Sequence, residues 1–217
     1  MKNILLLFSV ILLLYSCVKK ECQIAGGYHI FEIPVNFSPT VDTIHLGDTI
    51  DVESRFNQLV YDRSTDQSYL LENFQLTSES RIIKIDENPA NRAALENFEV
   101  IVGDKYDLNP INYSSGTIGL IGKYESFDSE YSVQYKLIPK VKGLYVFSHN
   151  CLVLDENQFF EGKCPNVLVG ALPIINNSDS EGNNVDILLN SPDPHYSEWI
   201  LVNPEDRFNG SYAFYVK

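Results

Sequence analysis

The sequence has no apolar run long enough to cross a bilayer as a helix, which takes roughly 20 residues. Its longest greasy stretch, Ile4 to Tyr15, is interrupted by Ser9 and follows the positive Lys2. Those proportions fit the h-region of an export signal. Basic residues are scarce as well: 16 Lys and Arg stand against 29 Asp and Glu, giving a net charge of −13 spread along the chain. Such a surface repels phosphate backbones, so nucleic acid is not an expected partner. Low-complexity tracts and long internal repeats are absent.

Motifs that carry chemistry are missing too. His29, His45, His149 and His195 are scattered, with no His-Glu-x-x-His or other metal-ligand spacing. Each reads as a surface histidine or one satisfied within a strand. No Gly-x-Ser-x-Gly elbow occurs, and the stretch "GTIGLIG" has strand character without the helix that a phosphate-binding loop opens. Acid pairs such as Asp128/Glu130, Asp155/Glu156 and Glu205/Asp206 read as solvated turn acids, because glycosidase chemistry needs two carboxylates at a set separation across a cleft. No catalytic residue and no cofactor is nominated. The one loop with a metal flavour is "NNSDSEGNN", where Asn177, Asp179 and Glu181 alternate before Gly182 as in the first half of a calcium loop. Leu188 stands where the closing bidentate acid belongs, so a polar hairpin loop is the expected structure and these three are only a weak calcium candidate.

What is present begins at the front. Leu14-Tyr15-Ser16-Cys17 resembles the lipobox of bacterial lipoproteins, with a small residue before the cysteine and a Tyr15 bulkier than usual. The resemblance covers the first 17 residues. It implies a signal peptide over 1–16 and a Cys17 that is acylated on sulfur, palmitate included, and becomes the first residue of the mature chain. Several acyl chains on one cysteine meet the requirement for stable anchoring, which a single chain does not. Val18 in place of aspartate implies transport to the outer membrane. The periplasmic face and the cell surface both stay open, and the lack of an acidic cluster in Lys19-Lys20-Glu21 favours the former.

Exported proteins keep disulfides. Cys151 and Cys164 flank "LVLDENQFFEGK", a length suited to a bridged loop worth about 2–3 kcal/mol. A Cys151–Cys164 bridge is therefore expected, leaving Cys22 as an unpaired thiol or an alternative partner.

Beyond a tether over 17–27, closed by Gly26-Gly27, the apolar period becomes two. In "FEIPVNF" Phe31, Ile33, Val35 and Phe37 share a face, and Pro34, which cannot donate to a ladder, places the strand on an edge. "DTIHLGDTIDVES" behaves alike, with Gly47-Asp48 as a bulge or tight turn. Further strands are expected in "FEVIV", "GTIGLIGKY", "YSVQYKLI", "GLYVFS", "VLVGALPII" and "SYAFYVK", with short helices over Pro89–Asn97, Asn184–Leu189 and Glu205–Phe208. About 200 mature residues suffice for one core. Short strands between Gly, Asn, Asp and Pro clusters predict an all-β, antiparallel sandwich. The "GDT" turn before a strand and the "GLY" element at 143–145 resemble the immunoglobulin-like domains of bacterial envelope proteins, over 28–148. Residues 149–217 then form a C-terminal β extension or a small subdomain.

Together these features predict a lipid-anchored envelope protein that acts as a non-enzymatic binding module for another envelope protein or a glycan. A glycoside hydrolase directed at envelope or dietary polysaccharide is the alternative, and a structural spacer is a third. Facing carboxylates in a concave cleft would mark the hydrolase, and a flat aromatic or loop-built patch the binding module.

Overall fold

The computed structural model describes residue 24 and residues 27–153, 159–163, 167–176, 183–198 and 210–217. Cys17, Cys22, Cys164, the trio Asn177, Asp179 and Glu181, and the helix expected at Glu205–Phe208 lie outside the described residues. In chain order the strands are β1 (Tyr28–Ser38), β2 (Thr43–Ile44), β3 (Ile50–Asn57), β4 (Leu59–Asp62), β5 (Gln67–Leu70), β6 (Leu76–Lys84) and β7 (Phe98–Val102). They continue with β8 (Leu108–Asn112), β9 (Ile118–Lys123), β10 (Glu125–Phe127), β11 (Glu130–Pro139), β12 (Gly143–Val153), β13 (Leu168–Ile175) and β14 (Ser211–Val216).

These strands form two sheets, and the all-β sandwich expected from the strand pattern is the fold. One sheet runs β10-β11-β3-β1-β4-β5, with β13 added on β1 and β7 on β11. The other runs β2-β14-β12-β6-β9-β8. Most pairs are antiparallel, but β1 with β13 and β14 with β2 are parallel. β12 passes through residues 148 and 149 unbroken, and β13 and β14 enter one sheet each.

The period-two pattern creates the core. His29, Phe31, Ile33, Val35 and Phe37 of β1 are all buried, and Tyr131, Val133, Tyr135 and Leu137 of β11 meet them on the same inner face. From the second sheet come Tyr145 and Phe147 of β12 and Tyr212 and Phe214 of β14. Phe37 stacks on Tyr212 with ring centroids 4.3 Å apart, the kind of offset contact that adds to area burial. A smaller apolar cluster forms on the outside of the second sheet. There Val185 and Leu188 of a 3-10 turn (Val185–Asn190) and Tyr196 of a one-turn helix (Pro194–Ser197) cover Leu144, Val146 and Ala213.

Two local expectations are corrected. Pro34 does not mark an edge, because β1 has β13 on one side and β3 and β4 on the other. It is tolerated since β1 pairs with β4 at Phe31 and with β3 only from Asn36 onward, so Pro34 falls in the gap where no ladder needs its missing N–H. The helix expected over Pro89–Asn97 shrinks to a 3-10 turn at Ala94–Asn97, whose Ala94 and Leu95 plug the core. Gly47 does form the expected turn, at φ +83°, with His45 O accepting from Asp48 N–H. At Gly122 only hydrogen fits, since a Cβ would lie 2.2 Å from the Asp107 carbonyl oxygen.

Candidate functional site

Three features stand out from an otherwise apolar sandwich: a polar relay through its centre, a buried His–Asp pair at one end, and an exposed apolar strip on one outer face.

The relay is built by inward positions that carry polar residues where the period calls for apolar ones. Tyr135 on β11 donates its hydroxyl to Ser80 Oγ on β6 (2.5 Å), and Ser80 Oγ lies 2.9 Å from His149 Nδ1 on β12. His149 Nε2 lies 3.0 Å from the Tyr124 hydroxyl, which donates to Ser54 Oγ on β3 at 3.0 Å, and Ser54 donates to the Pro34 carbonyl at 2.7 Å. One direction satisfies every donor: Ser80 gives its proton to Nδ1, and the His149 Nε2–H donates to Tyr124. The chain of bonds leaves the first sheet, crosses the second and returns. Burial pushes the His149 pKa down to about 4, so the imidazole is neutral at pH 7. Burial likewise raises the Tyr124 and Tyr135 hydroxyls and lifts the neighbouring Cys151 thiol to about 12. A Ser–His contact this deep meets no substrate; the two sheets are tied by the bonds at either side of it, Tyr135 to Ser80 and Tyr124 to Ser54.

At the start of β1, His29 Nδ1 donates to Asp62 Oδ2 at 2.7 Å, and both residues are fully buried. Burial alone would raise the Asp62 carboxyl. Donors from His29, the Ile30 N–H, the Thr65 hydroxyl and the Ser64 N–H outweigh that and hold it below the ordinary range, hence ionised. Nε2 of His29 has no hydrogen-bond partner among the described residues. It sits among Phe31, Tyr69 and Phe160, with the Phe160 ring edge-on at 4.8 Å.

The strip lies outside the same sheet. Val60 and Asp62 of β4 point inward, which turns Leu59 (63% exposed) and Tyr61 outward. Leu70 of β5 (49% exposed) pairs directly with Leu59. Across β3 and β11 the same outer face is charged: Asp51 pairs with Lys136 at 2.9 Å and Glu53 with Arg55 at 3.0 Å. One half of the face is therefore built for water and the other presents aliphatic and aromatic surface.

The residues singled out by sequence fall unevenly. His45 is exposed beside Asp48 and His195 is exposed beside the helix cap Asp193, while His149 is the satisfied strand histidine. Cys151 is buried and bonded to no cysteine among the described residues, and its expected partner Cys164 lies outside them. Among the described residues no group of His, Cys, Asp and Glu is arranged to hold a metal ion. His29, read from sequence as a surface or satisfied strand histidine, is buried in β1 on Asp62. That pairing and the strip were not anticipated, since Leu59, Val60, Tyr61 and Asp62 alternate in burial and not in residue type.

No family model matches the chain, and no curated protein matches it. Solved structures overlap it loosely. A cohesin module from a Clostridium perfringens family 33 glycoside hydrolase shares 13% identity, covering 64% of this chain and 97% of its own, at a TM-score of 0.29. A human F-spondin reeler domain fragment shares 8% over 72% of this chain and 91% of its own, at 0.33. A non-cellulosomal cohesin from Archaeoglobus fulgidus shares 9% over 88% of this chain and 91% of its own, at 0.31.

Proposed function

We propose that this chain is an outer-membrane lipoprotein, held by acyl groups on Cys17, whose sandwich binds a protein partner and performs no chemistry. The observation that carries the binding role is the strip of Leu59, Tyr61 and Leu70, exposed together on adjacent strands. Clustered exposed apolar side chains on a soluble body mark interaction surfaces. The strip is mainly aliphatic rather than a platform of rings, which favours a protein over a glycan.

A photoactivatable residue at position 61 tests the binding role in intact cells. A discrete adduct is expected there, weakened at least fivefold by Leu59→Asp with Leu70→Asp, and absent when the probe sits at Glu53 on the charged half. Equal adducts at both positions would remove the strip from the account. The anchor is tested apart from it: a Cys17→Ala chain should leave the membrane fraction.

A further inference from the structure

We infer that the end of the sandwich where β1 begins rests on the lipid surface, with Phe159 entering the bilayer interface and Tyr28 and Leu168 lying beside it. This rests on the proposal that Cys17 is acylated.

The observations converge on one end of the body. Phe159 is 82% exposed, the most exposed large apolar side chain among the described residues. Its neighbour Phe160 is buried against His29, Phe31 and Tyr69, which fixes the 159–163 segment at the start of β1. Lys163 places its ammonium 5.4 Å from the Phe159 ring centroid, and Lys163 N–H donates to the Phe160 carbonyl, so segment and aromatic tip form a compact turn. Tyr28 and Leu168 are paired in register on the outer face of the same end, 44% and 54% exposed. The tip carries phenyl, phenol and ammonium groups with the exposed carboxylate of Glu161 in the same turn. Aromatic rings beside charged groups settle at the headgroup level of a membrane.

Chain length sets the occupant. Roughly eleven residues join Cys17 to Tyr28, a reach of at most about 40 Å even if fully extended. β1 starts at this end, so the tether joins the body beside the segment that carries Phe159 and not at the far end. The opposite end, with Leu46 beside the Lys217 and Pro139 carbonyls, lies across the length of the sheets. A net charge of −13 argues against attraction to anionic headgroups. The seat is therefore an apolar and interfacial one, suited to zwitterionic lipid.

The test supplies its own tether. Residues 1–17 are replaced by a hexahistidine tag, which holds the body on phosphatidylcholine vesicles doped with nickel-chelating lipid and brominated in the upper acyl chain. In a Trp199→Phe background a single reporter is placed by Phe159→Trp or, at the far end, by Leu46→Trp. Quenching of the reporter at 159 should exceed that at 46 by threefold or more, with a blue-shifted emission. Equal quenching at the two positions, or none at 159 while the protein stays vesicle-bound, overturns the seat. Because the tag replaces the native anchor, a failed seat and a failed Cys17 anchor give different results: the second reads only in the membrane fractionation of the Cys17→Ala chain.

Discussion

His149 and His29 are sealed inside the same sandwich, yet their surroundings solve the cost of burying an imidazole in different ways. His149 has both ring nitrogens bonded, to Ser80 and Tyr124, and remains neutral. His29 has one nitrogen bonded to an ionised Asp62 and the other facing aromatic rings. The first arrangement joins strands of both sheets and sits mid-core. The second closes the end of the sandwich where β1 begins, and there a single carboxylate gathers four donors. A paired neutral network tolerates the low dielectric almost without cost, while a buried charge depends wholly on its partners.

The contrast can be broken first at Asp62. Asp62→Ala strands His29 Nδ1, two backbone N–H groups and the Thr65 hydroxyl, and should cost about 4 kcal/mol in denaturant unfolding. A loss under 1 kcal/mol would show that the pair is not the keystone of its end.

Acid separates the two sites in the next largest effect. His149 has a folded pKa near 4 against 6.5 for the free side chain, so the unfolded chain takes up its proton first. Stability should fall from about pH 6.5 down to about pH 4, by about 3 kcal/mol for this one group, and then level. Asp62 acts lower: its folded pKa lies below 3.8, so its contribution is full above that value and is lost as pH falls beneath it. His149→Phe should flatten the upper limb of the stability–pH curve and leave the lower one. An unchanged slope between pH 6.5 and 4 in that variant would contradict a neutral buried His149.

The smallest change trims the relay at its head. Tyr135→Phe removes one donor to Ser80 and leaves the Ser80–His149 bond in place, so about 1 kcal/mol should be lost. A loss as large as that from Asp62→Ala would mean that the relay acts as one cooperative unit.

The relay also explains what a linear reading of the chain misses. β6 is the central strand of the second sheet, yet "LTSESRIIK" shows no apolar alternation, because Ser78 and Ser80 occupy inward positions and Ser80 serves His149. β4 escapes for the same reason: its inward Asp62 looks like a turn acid until His29 is brought to it from 33 positions away. β1 from Phe31 onward, β11 and β14, whose inward residues are apolar or aromatic, were legible outright. Pro34 misled because proline reports on its own missing N–H and says nothing of which neighbour would have accepted it. The strip of Leu59, Tyr61 and Leu70 could not be separated from core by composition, since an exposed leucine and a buried one are the same letter.

Sequence by itself determined the net charge of −13, which is a sum over the chain, and the strand period and the turn at Gly47, which depend on neighbours a few residues apart. Tertiary structure alone decided that Tyr135, Ser80, His149, Tyr124 and Ser54 form one chain of hydrogen bonds. It also decided that β1 lies between β13 and the β3–β4 strands, and which leucines meet solvent. Those depend on which distant strands pair, and pairing is set by the whole core closing at once rather than by any local run of residues.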